Sequence, residues 1–410
     1  MGSSAVRFRS RSWGCDEARR DRGAARGMTG RDVTIVVLNW NGGSDTVECL
    51  ESLAAADLQG ATVLVVDNGS RDDSLERVRA RFPAQRILAL PDNRGYAGGN
   101  NAGMRAALEA GAGAVLLLNN DTRVAPDFLQ PLLSALHDSP RAGAVTSQIL
   151  RQDRPELLDV AYLEVHFDER NVVQLQGVNR LPSEGFDRRR RVYVVPGCSV
   201  LFRADALREV GLFDEAYFAY HEDVDWCLRA SESGWEVYYE PYSRVFHKGS
   251  RSTERFNQKP PARARWQDAP QLPHAEPMPF NPVRTYLGMR NTVRLLRRYA
   301  KPTHRLAFGL DLARLLPLET TAVVLGAESE FRLGRWSWSD VADAYLGGGR
   351  EGRGALARAA ALPLAVAWRF PRDLVRAARS GRLAEVAETL RGLRDGILDR
   401  RLPLERLGLR

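Results

Sequence analysis

The sequence predicts an α/β fold with a doubly wound, mostly parallel sheet. Four short apolar runs rich in β-branched residues have the pattern of buried parallel strands, and they span 33–38, 61–66, 87–90 and 114–118. Segments with helical apolar spacing alternate with these runs, at 44–56, 72–82 and 98–110. Ser44 and Asp72 are the predicted N-caps of the first two helices.

Polar clusters follow these predicted strands. They are NWNG at 39–42, DNGS at 67–70, PDNRGYAGGN at 91–100 and NNDT at 119–122. Ligands of doubly wound sheets bind beyond the carboxyl ends of the strands. We therefore expect the binding site to be built from these four clusters.

Composition divides the chain into four regions. Residues 1–29 carry seven Arg and no apolar stretch, which predicts a disordered basic N-terminal extension. Residues 30–250 contain the strand and helix pattern of the α/β domain. Seven Pro within 251–283 indicate a mobile loop, and the Ala, Leu and Arg-rich residues 284–410, interrupted by Pro, indicate a helical C-terminal region.

Cysteine usage and charge restrict the class of protein. The four cysteines are scattered without a CxxC pair, which argues against a disulfide framework or a thiolate zinc site and favours a cytoplasmic setting. No run approaches the ~20 apolar residues of a membrane span. The net charge of +8 comes from Arg-rich ends that lack interleaved aromatics, so nucleic acid is not the expected partner. Such ends suit peripheral contact with the inner face of the plasma membrane, and the oligomeric state stays open.

Asp67 ends the second predicted strand within VVDNGS. A carboxylate there can accept hydrogen bonds from a nucleobase edge or a ribose hydroxyl. Asn39 and Asn41 offer amides nearby, and Trp40 offers a ring for stacking. Taken alone, DNGS is more typical of an ordinary turn or of a helix-cap Asp.

The segment NRGYAGGNNAG, residues 93–103, suits a phosphate. Its glycines let the backbone approach a ligand just before a helix begins, and Arg94 adds a cation. A dinucleotide-binding dehydrogenase would instead carry GxGxxG after its first strand. Here that strand is followed by NWNGGSD, which disfavours this alternative.

Two segments carry candidate metal ligands. LLLNNDT ends a strand in Asn119, Asn120 and Asp121, and Asp121 can bind a hard divalent cation that bridges two phosphates. His247, in VFHKGS, can complete such a site with its neutral imidazole. A capping Asp and a structural His are the alternatives.

The acidic run HEDVDWCLR lies among aromatic and apolar residues. Its clustered Glu222, Asp223 and Asp225 repel one another unless a cation, a positive partner or solvent is present. The acids could also be placed at a helix N-terminus, where the helix dipole favours them.

Taken in order, these motifs resemble the family 2 inverting glycosyltransferases, especially bacterial rhamnosyltransferase-like members. The resemblance covers roughly residues 32–300. It implies a GT-A-type, Rossmann-like domain, with a nucleotide-sugar half at 30–143 and an acceptor half at 144–250. It also implies a nucleoside-diphosphate sugar donor, a divalent metal (Mg or Mn), and a saccharide or lipid-linked saccharide acceptor in cell-envelope synthesis.

The resemblance assigns roles to the candidate residues. Asp223 would be the catalytic base in a single displacement, with Glu222 supporting it. Asp121 would be the last residue of the family's DxD motif and would hold the metal with His247. The donor-binding set would be Asn39, Trp40, Asn41, Asp67, Asn93, Arg94, Gly95, Asn100, Asn119 and Asp121. Asn119 stands where DxD has its first Asp, which removes one negative charge from the site.

Two alternatives remain at this point. The motifs address the diphosphate and metal but not the hydroxyl pattern of the sugar, so galactofuranose or N-acetylglucosamine could replace rhamnose. The other alternative is a non-catalytic protein that binds nucleotide sugars. The presence of Asp223 and Asp121 argues against it.

Overall fold

The computed structural model describes residues 28–167, 172–249, 281–325, 370–379 and 383–409. Most of the predicted N-terminal extension and of the predicted loop at 251–283 lies outside these ranges. The chain divides into two compact units. The first contains the α/β region together with a short segment near the C-terminus of the chain, and the second contains most of the helices that follow the α/β region. The described parts of the first unit are 28–166, 172–249 and 404–409.

Ten strands of the described chain form one sheet in the first unit. Its main path runs β10-β12-β6-β11-β4-β1-β2-β3, β5 pairs with β12, β7 pairs with β6, and β8 and β9 form a separate hairpin. The strands are β1 Val33–Asn39, β2 Thr62–Asp67, β3 Arg86–Ala89, β4 Ala114–Asn119, β5 Thr122–Val124, β6 Ala142–Arg151, β7 Leu158–Val160, β8 Tyr162–Val165, β9 Val173–Gln176, β10 Arg190–Val192, β11 Ser199–Arg203 and β12 Glu236–His247.

The first half of this unit is the predicted alternation of strands and helices. Its helices are α1 Gly43–Ala54, α2 Ser74–Arg81, α3 Gly95–Glu109 and α4 Leu129–Asp138, and the second half adds α5 Ala204–Val210 and α6 Glu222–Glu232. Strands β3, β2, β1 and β4 are parallel neighbours. The apolar runs make these strands because both faces of the sheet are covered by helices, so nearly every side chain of β1 and β4 is buried. The predicted α/β class with a mostly parallel central sheet is confirmed.

The register places the predicted polar clusters at one edge. Asn39 at the end of β1 is paired with Asp67 at the end of β2, and Leu38 is paired with Asn119 of β4. Three strand ends therefore coincide to within one residue. The side chains that follow them share one edge of the sheet, as the sequence predicts.

The predicted helix starts are shifted. The N-cap of α1 is Gly42 rather than Ser44, because the Asn39 side chain accepts a hydrogen bond from the Gly42 amide at 3.2 Å and turns the chain early. The N-cap of α2 is Asp73 rather than Asp72, although Asp72 still accepts from the Ser74 amide at 3.1 Å. These N-cap predictions were wrong by one or two residues.

The second half extends the sheet with mixed pairing. Strand β11 is antiparallel to both β4 and β6, while the long strand β12 runs parallel to β6. The end of β12 also pairs with β5, which sets His247 opposite Thr122. The residue after Asp121 is thus locked beside His247 by backbone pairing.

The second unit is helical in its described parts. It contains α7 Pro282–Tyr299, α8 Pro302–Leu325, a helical segment at 370–379 and α9 Ala384–Ile397. Helices α7 and α9 pack closely, and the Tyr286 hydroxyl donates to Asp395 at 2.9 Å. The helical C-terminal extension is confirmed for these residues. None of the described helices is long and apolar enough to cross a membrane.

Close packing of α3 on the sheet depends on its glycines. A Cβ atom at Gly103 would lie 2.4 Å from Cγ1 of Val36 and 3.0 Å from Cγ2 of Val66. These neighbours are side chains of β1 and β2 in the buried core, where little movement is available. Glycine is therefore required at this point of the helix for steric reasons.

We predict that Gly103→Ala lowers stability by about 1–3 kcal/mol through overpacking. The sign of the stability change is diagnostic, because Gly→Ala at an uncrowded helix position raises the free energy of unfolding by about 1 kcal/mol. Gly288→Ala is the matched control, since a Cβ atom there meets no described atom within 4 Å. Urea unfolding monitored by circular dichroism measures both variants. A rise in the unfolding midpoint for Gly103→Ala would contradict the packing described here.

Candidate active site

Asn39 holds the ends of β1 and β2 together. Its Nδ2 donates to Oδ1 of Asp67 at 2.8 Å and to Oγ of Ser70 at 3.1 Å. Its Oδ1 accepts from the Thr46 hydroxyl at 2.8 Å, as well as from Gly42. The side chain is buried, and these bonds use both its donor and its acceptor. Asn39 therefore shapes the site through protein partners.

The neighbouring candidates differ in exposure. Asn41 adopts a left-handed conformation with φ of 51°, and its Oδ1 accepts from the Arg71 amide at 2.8 Å. Trp40 is only half-buried, so its ring retains an accessible surface. Asp67 is almost completely buried, and its Oδ2 accepts from the Ser70 amide at 3.1 Å. The carboxylate of Asp67 is thus fixed in place at the sheet edge.

Asn68, which the sequence analysis missed, organises the phosphate-loop candidates. Its Nδ2 donates to Oδ1 of Asn93 at 2.9 Å and to the Gly95 carbonyl at 3.0 Å, and its Oδ1 accepts from the Arg94 amide at 3.0 Å. Gly95 has a φ of 72°, a conformation that favours glycine. The Arg94 side chain is 43% exposed, whereas Asn100 is buried and donates to the Tyr96 carbonyl. Arg94 is the exposed cation of this loop.

Asp121 and His247 face each other as the sequence predicts. The His247 Nε2 lies 3.2 Å from Oδ1 of Asp121, and Nδ1 lies 2.7 Å from Oδ2 of Asp159. Burial alone would lower the pKa of His247, but the two carboxylates outweigh burial and raise it to about 10. Burial alone would raise the pKa of Asp121, but His247 outweighs burial and lowers it. The three side chains form an ion-paired row that runs from the buried Asp121 to the partly exposed Asp159.

The Asp121 and His247 pair fits a divalent cation. Two ligands at right angles, each about 2.1 Å from an ion, are about 3 Å apart, which matches the spacing of these two atoms. Within the described ranges, no group of three or more His, Cys, Asp or Glu side chains is arranged to hold a metal. Such a cation would therefore take its other ligands from a bound diphosphate and water. Mg²⁺ is commonly held in this way by few protein ligands and substrate phosphates.

Glu222 and Asp223 begin helix α6, in the first turn where the helix dipole favours acids. Oδ2 of Asp223 accepts from the Gly197 amide at 2.9 Å, and Oδ1 accepts from the Val224 amide at 2.8 Å. Glu222 is buried, and its Oε2 has no hydrogen-bond partner within the described part of the chain. Burial raises the pKa of both groups, and for Glu222 the adjacent Asp223 charge raises it further.

The segment Gly197–Cys198 connects the acidic pair to the metal candidates. The Cys198 carbonyl accepts from the Asn119 amide at 2.9 Å, while Gly197 binds Asp223. The Cys198 pKa is raised, first by burial and then by the charges of Asp159, Asp121 and Asp223. The charges of all three carboxylates therefore act on Cys198. The hydrogen bonds of Gly197 and Cys198 place Asp223 and the strand end that precedes Asp121 on either side of one short segment.

The loop before α6 has a strained backbone. Phe218, Tyr220 and His221 have φ values of 65°, 69° and 74°, which non-glycine residues rarely adopt. The Phe218 carbonyl accepts from the Ala97 amide at 2.9 Å, so this loop lies against the start of α3. Tyr96 also joins the start of α3 to the Gly197–Cys198 segment, because its hydroxyl donates to the Gly197 carbonyl at 2.6 Å. The sequence analysis missed Tyr96, although it follows Gly95 in the predicted phosphate motif.

Asp225 has a structural role in this arrangement. Its side chain is fully buried, and Oδ2 is 2.8 Å from Nε of Arg229. The same guanidinium donates to the carbonyls of Val210 and Leu212. Asp225 and Arg229 thereby attach α6 to the loop that follows α5. The third acid of HEDVD is used in packing rather than presented with the other two.

Residues 30–269 match the family described as glycosyltransferase like family 2, which is more than half of the chain. The chain belongs to this family. It is 31% identical over 242 residues to the N-acetylglucosaminyl-diphospho-decaprenol L-rhamnosyltransferase of Mycobacterium tuberculosis, covering 54% of this chain and 77% of that relative. It is 23% identical to the dTDP-rhamnosyl transferase RfbF of Shigella flexneri, covering 60% of this chain and 73% of that relative. The predicted family and enzyme class are confirmed.

A solved glycosyltransferase is also similar in structure. The mannosyltransferase PcManGT from Pyrobaculum calidifontis, in complex with GDP-Man and Mn²⁺, superposes with a TM-score of 0.47 and 15% identity. The match covers 90% of this chain and 88% of the mannosyltransferase.

We predict that Asp225→Asn in this glycosyltransferase lowers the free energy of unfolding by about 3 kcal/mol, because it leaves the Arg229 charge buried without its carboxylate. The matched control is Asp205→Asn. Asp205 pairs with Arg208 on the surface, with side chains 70% and 53% exposed, so its loss should cost less than about 1 kcal/mol. Chemical denaturation measures both. Wild-type stability together with lost turnover in Asp225→Asn would instead indicate a catalytic role.

Proposed function

We propose that this glycosyltransferase inverts the sugar's configuration in a single displacement with Asp223 as the base. The observation that supports the proposal is that Gly197 donates to Asp223, while the adjacent Cys198 accepts from Asn119, two residues before Asp121, which faces His247. A base for the acceptor hydroxyl and ligands for a cation that holds the diphosphate are the two requirements of this chemistry. We propose that these residues meet both requirements.

The environments of the two acids support different roles. Two backbone amides donate to the Asp223 carboxylate and stabilise its ionised form, while burial opposes it. Glu222 is enclosed with an unpartnered oxygen, and its pKa is raised well above its usual value. Two adjacent buried carboxyls cannot easily both ionise. Asp223 therefore takes the proton, and Glu222 stays neutral beside it.

In the proposed step one bond forms, one bond breaks and one proton moves. The acceptor oxygen bonds to the anomeric carbon on the face opposite the nucleotide, and the bond from that carbon to the diphosphate oxygen breaks. The acceptor proton moves to an oxygen of Asp223. Configuration at the anomeric carbon inverts because attack and departure are on opposite faces.

Asp121 and His247 would hold Mg²⁺ or Mn²⁺ together with oxygens of the donor diphosphate. When bound, the cation supplies charge neutralisation for the departing diphosphate. Arg94, exposed at the start of α3, supports the same end of the donor with its charge and with the adjacent helix N-terminus. Trp40 and Asp67 are proposed to contact the nucleoside portion.

Rhamnose is the sugar we propose first, and a lipid-linked saccharide is the proposed acceptor. Two relatives support this choice by their names: one is an L-rhamnosyltransferase acting on N-acetylglucosaminyl-diphospho-decaprenol, and the other is a dTDP-rhamnosyl transferase. An acceptor of that kind would place the reaction in cell-envelope synthesis. Galactofuranose and N-acetylglucosamine are the sugars to compare.

A donor screen tests the proposed substrate. We expect purified protein, given a lipid-linked N-acetylglucosamine acceptor, to release nucleoside diphosphate fastest from dTDP-L-rhamnose. Chelation should abolish release, and Mn²⁺ or Mg²⁺ should restore it, because the diphosphate leaves as a concentrated negative charge. Proton NMR of the product should show the anomeric configuration opposite to that of the donor. Retained configuration would refute the single displacement, and undiminished release after exhaustive chelation would refute the metal site.

The second test concerns the base. Asp223→Asn should lower turnover by about 10²–10⁴, since an amide cannot accept the proton. Donor affinity, measured by calorimetry, should change little because the donor contacts lie elsewhere. Glu222→Gln is the matched control and should be milder, because an amide has the shape and charge of the neutral acid. Near-normal turnover in Asp223→Asn with an inactive Glu222→Gln would move the base to Glu222.

A further inference from the structure

Asp159 is an acidic residue of the site that no motif identified. It lies in the short strand β7, and its Oδ2 is 2.7 Å from Nδ1 of His247. Its side chain is 31% exposed, whereas that of His247 is 13% exposed. Strand β6 lies between β7 and β12, so this hydrogen bond reaches across a neighbouring strand.

The two imidazole nitrogens point in opposite directions from the ring. Nε2 is turned to Asp121 and Nδ1 to Asp159. A cation placed between Nε2 and Asp121 therefore has Asp159 behind the ring, beyond direct reach. Asp159 cannot serve as a third ligand to that ion. It can act on the ion only through His247.

The backbone around His247 is fixed, but the backbone does not set the orientation of the ring. The His247 carbonyl accepts from the Gln152 amide at 2.9 Å, and the following Lys248 amide donates to the Asp121 carbonyl at 3.0 Å. These bonds leave rotation of the imidazole undetermined. The Asp159 carboxylate determines it, because it requires a proton on Nδ1 and a ring plane that aims Nε2 at Asp121.

We infer that Asp159 is a positioning residue that holds His247 in the tautomer and orientation needed to bind a divalent cation through Nε2. The inference rests on the metal site of the proposed function. Carboxylates that accept a hydrogen bond from a metal-bound imidazole typically contribute 10–100-fold to metal affinity. The role is distinct from that of Asp121, which would touch the ion directly.

The test is Mn²⁺ binding by the full chain in the presence of dTDP, which supplies the diphosphate oxygens, followed as the loss of the free-ion EPR signal beyond that caused by dTDP alone. Asp159→Ala should weaken Mn²⁺ binding by about 10–100-fold. Asp159→Asn should lose less, because its amide oxygen still accepts from Nδ1–H. Asp153→Ala is the matched control: Asp153 lies in the connection that precedes β7, is 65% exposed, and pairs with the Arg151 side chain rather than with His247. Its Mn²⁺ affinity should equal that of the wild type.

Further measurements separate positioning from general loss of structure. The melting temperature and the metal-free affinity for dTDP should be unchanged in Asp159→Asn. Asp121→Ala should lose the Mn²⁺ binding of the wild type. That loss would show that the measured ion binds at Asp121 and His247. Equal Mn²⁺ affinity in wild type and Asp159→Ala would overturn the inference while leaving the proposed glycosyl transfer intact. A wild type that binds no Mn²⁺ would overturn both the inference and the proposed metal site. Sugar transfer itself is measured separately, by the donor screen described above.

Discussion

The hydrogen bond from Asn39 to Asp67 is the interaction on which the site depends. It joins the ends of β1 and β2 across the sheet at 2.8 Å through the amide nitrogen of Asn39, and the amide oxygen of the same side chain sets the start of α1. Parallel register alone brings the strand ends to one edge, but buried polar groups there require partners. Asn39 supplies them. The geometry at the carboxyl edge of the sheet is thus set by the side-chain amide of Asn39, which is itself buried.

The second constraint is the burial of several acids in one region. The row Asp121–His247–Asp159 balances two carboxylates against one imidazolium. The Glu222–Asp223 pair has no cation in its hydrogen bonds, so it is held by backbone donors and by a raised pKa. The two clusters therefore offset the cost of removing carboxylates from water in different ways: one with a positive imidazolium, the other with backbone hydrogen bonds and a raised pKa. One cluster is suited to exchanging its proton for a metal, and the other to accepting a proton from a substrate.

The sequence predicted the sheet well because β1, most of β2 and β4 are buried on both faces and give uninterrupted apolar runs. It also predicted that Asp121 would meet His247, though only the pairing of β12 with β5 explains how. It missed Asn68, Tyr96 and Asp159, whose partners are far along the chain. Single polar residues in loops and short strands carry no periodic signal. Their roles become visible only when the tertiary fold supplies the partner.

The replacement of the first DxD acid by Asn119 gains a physical meaning in this setting. In the proposed metal site, Asp121 would supply one negative charge by direct ligation. Asp159 would act on the same cation position through His247, since a carboxylate that accepts from Nδ1–H increases the basicity of Nε2. A second acid acting directly, as in a full DxD motif, and one acting through an imidazole both favour a divalent ion. The second arrangement keeps the strand end at Asn119 less charged, where its backbone must pack against Cys198.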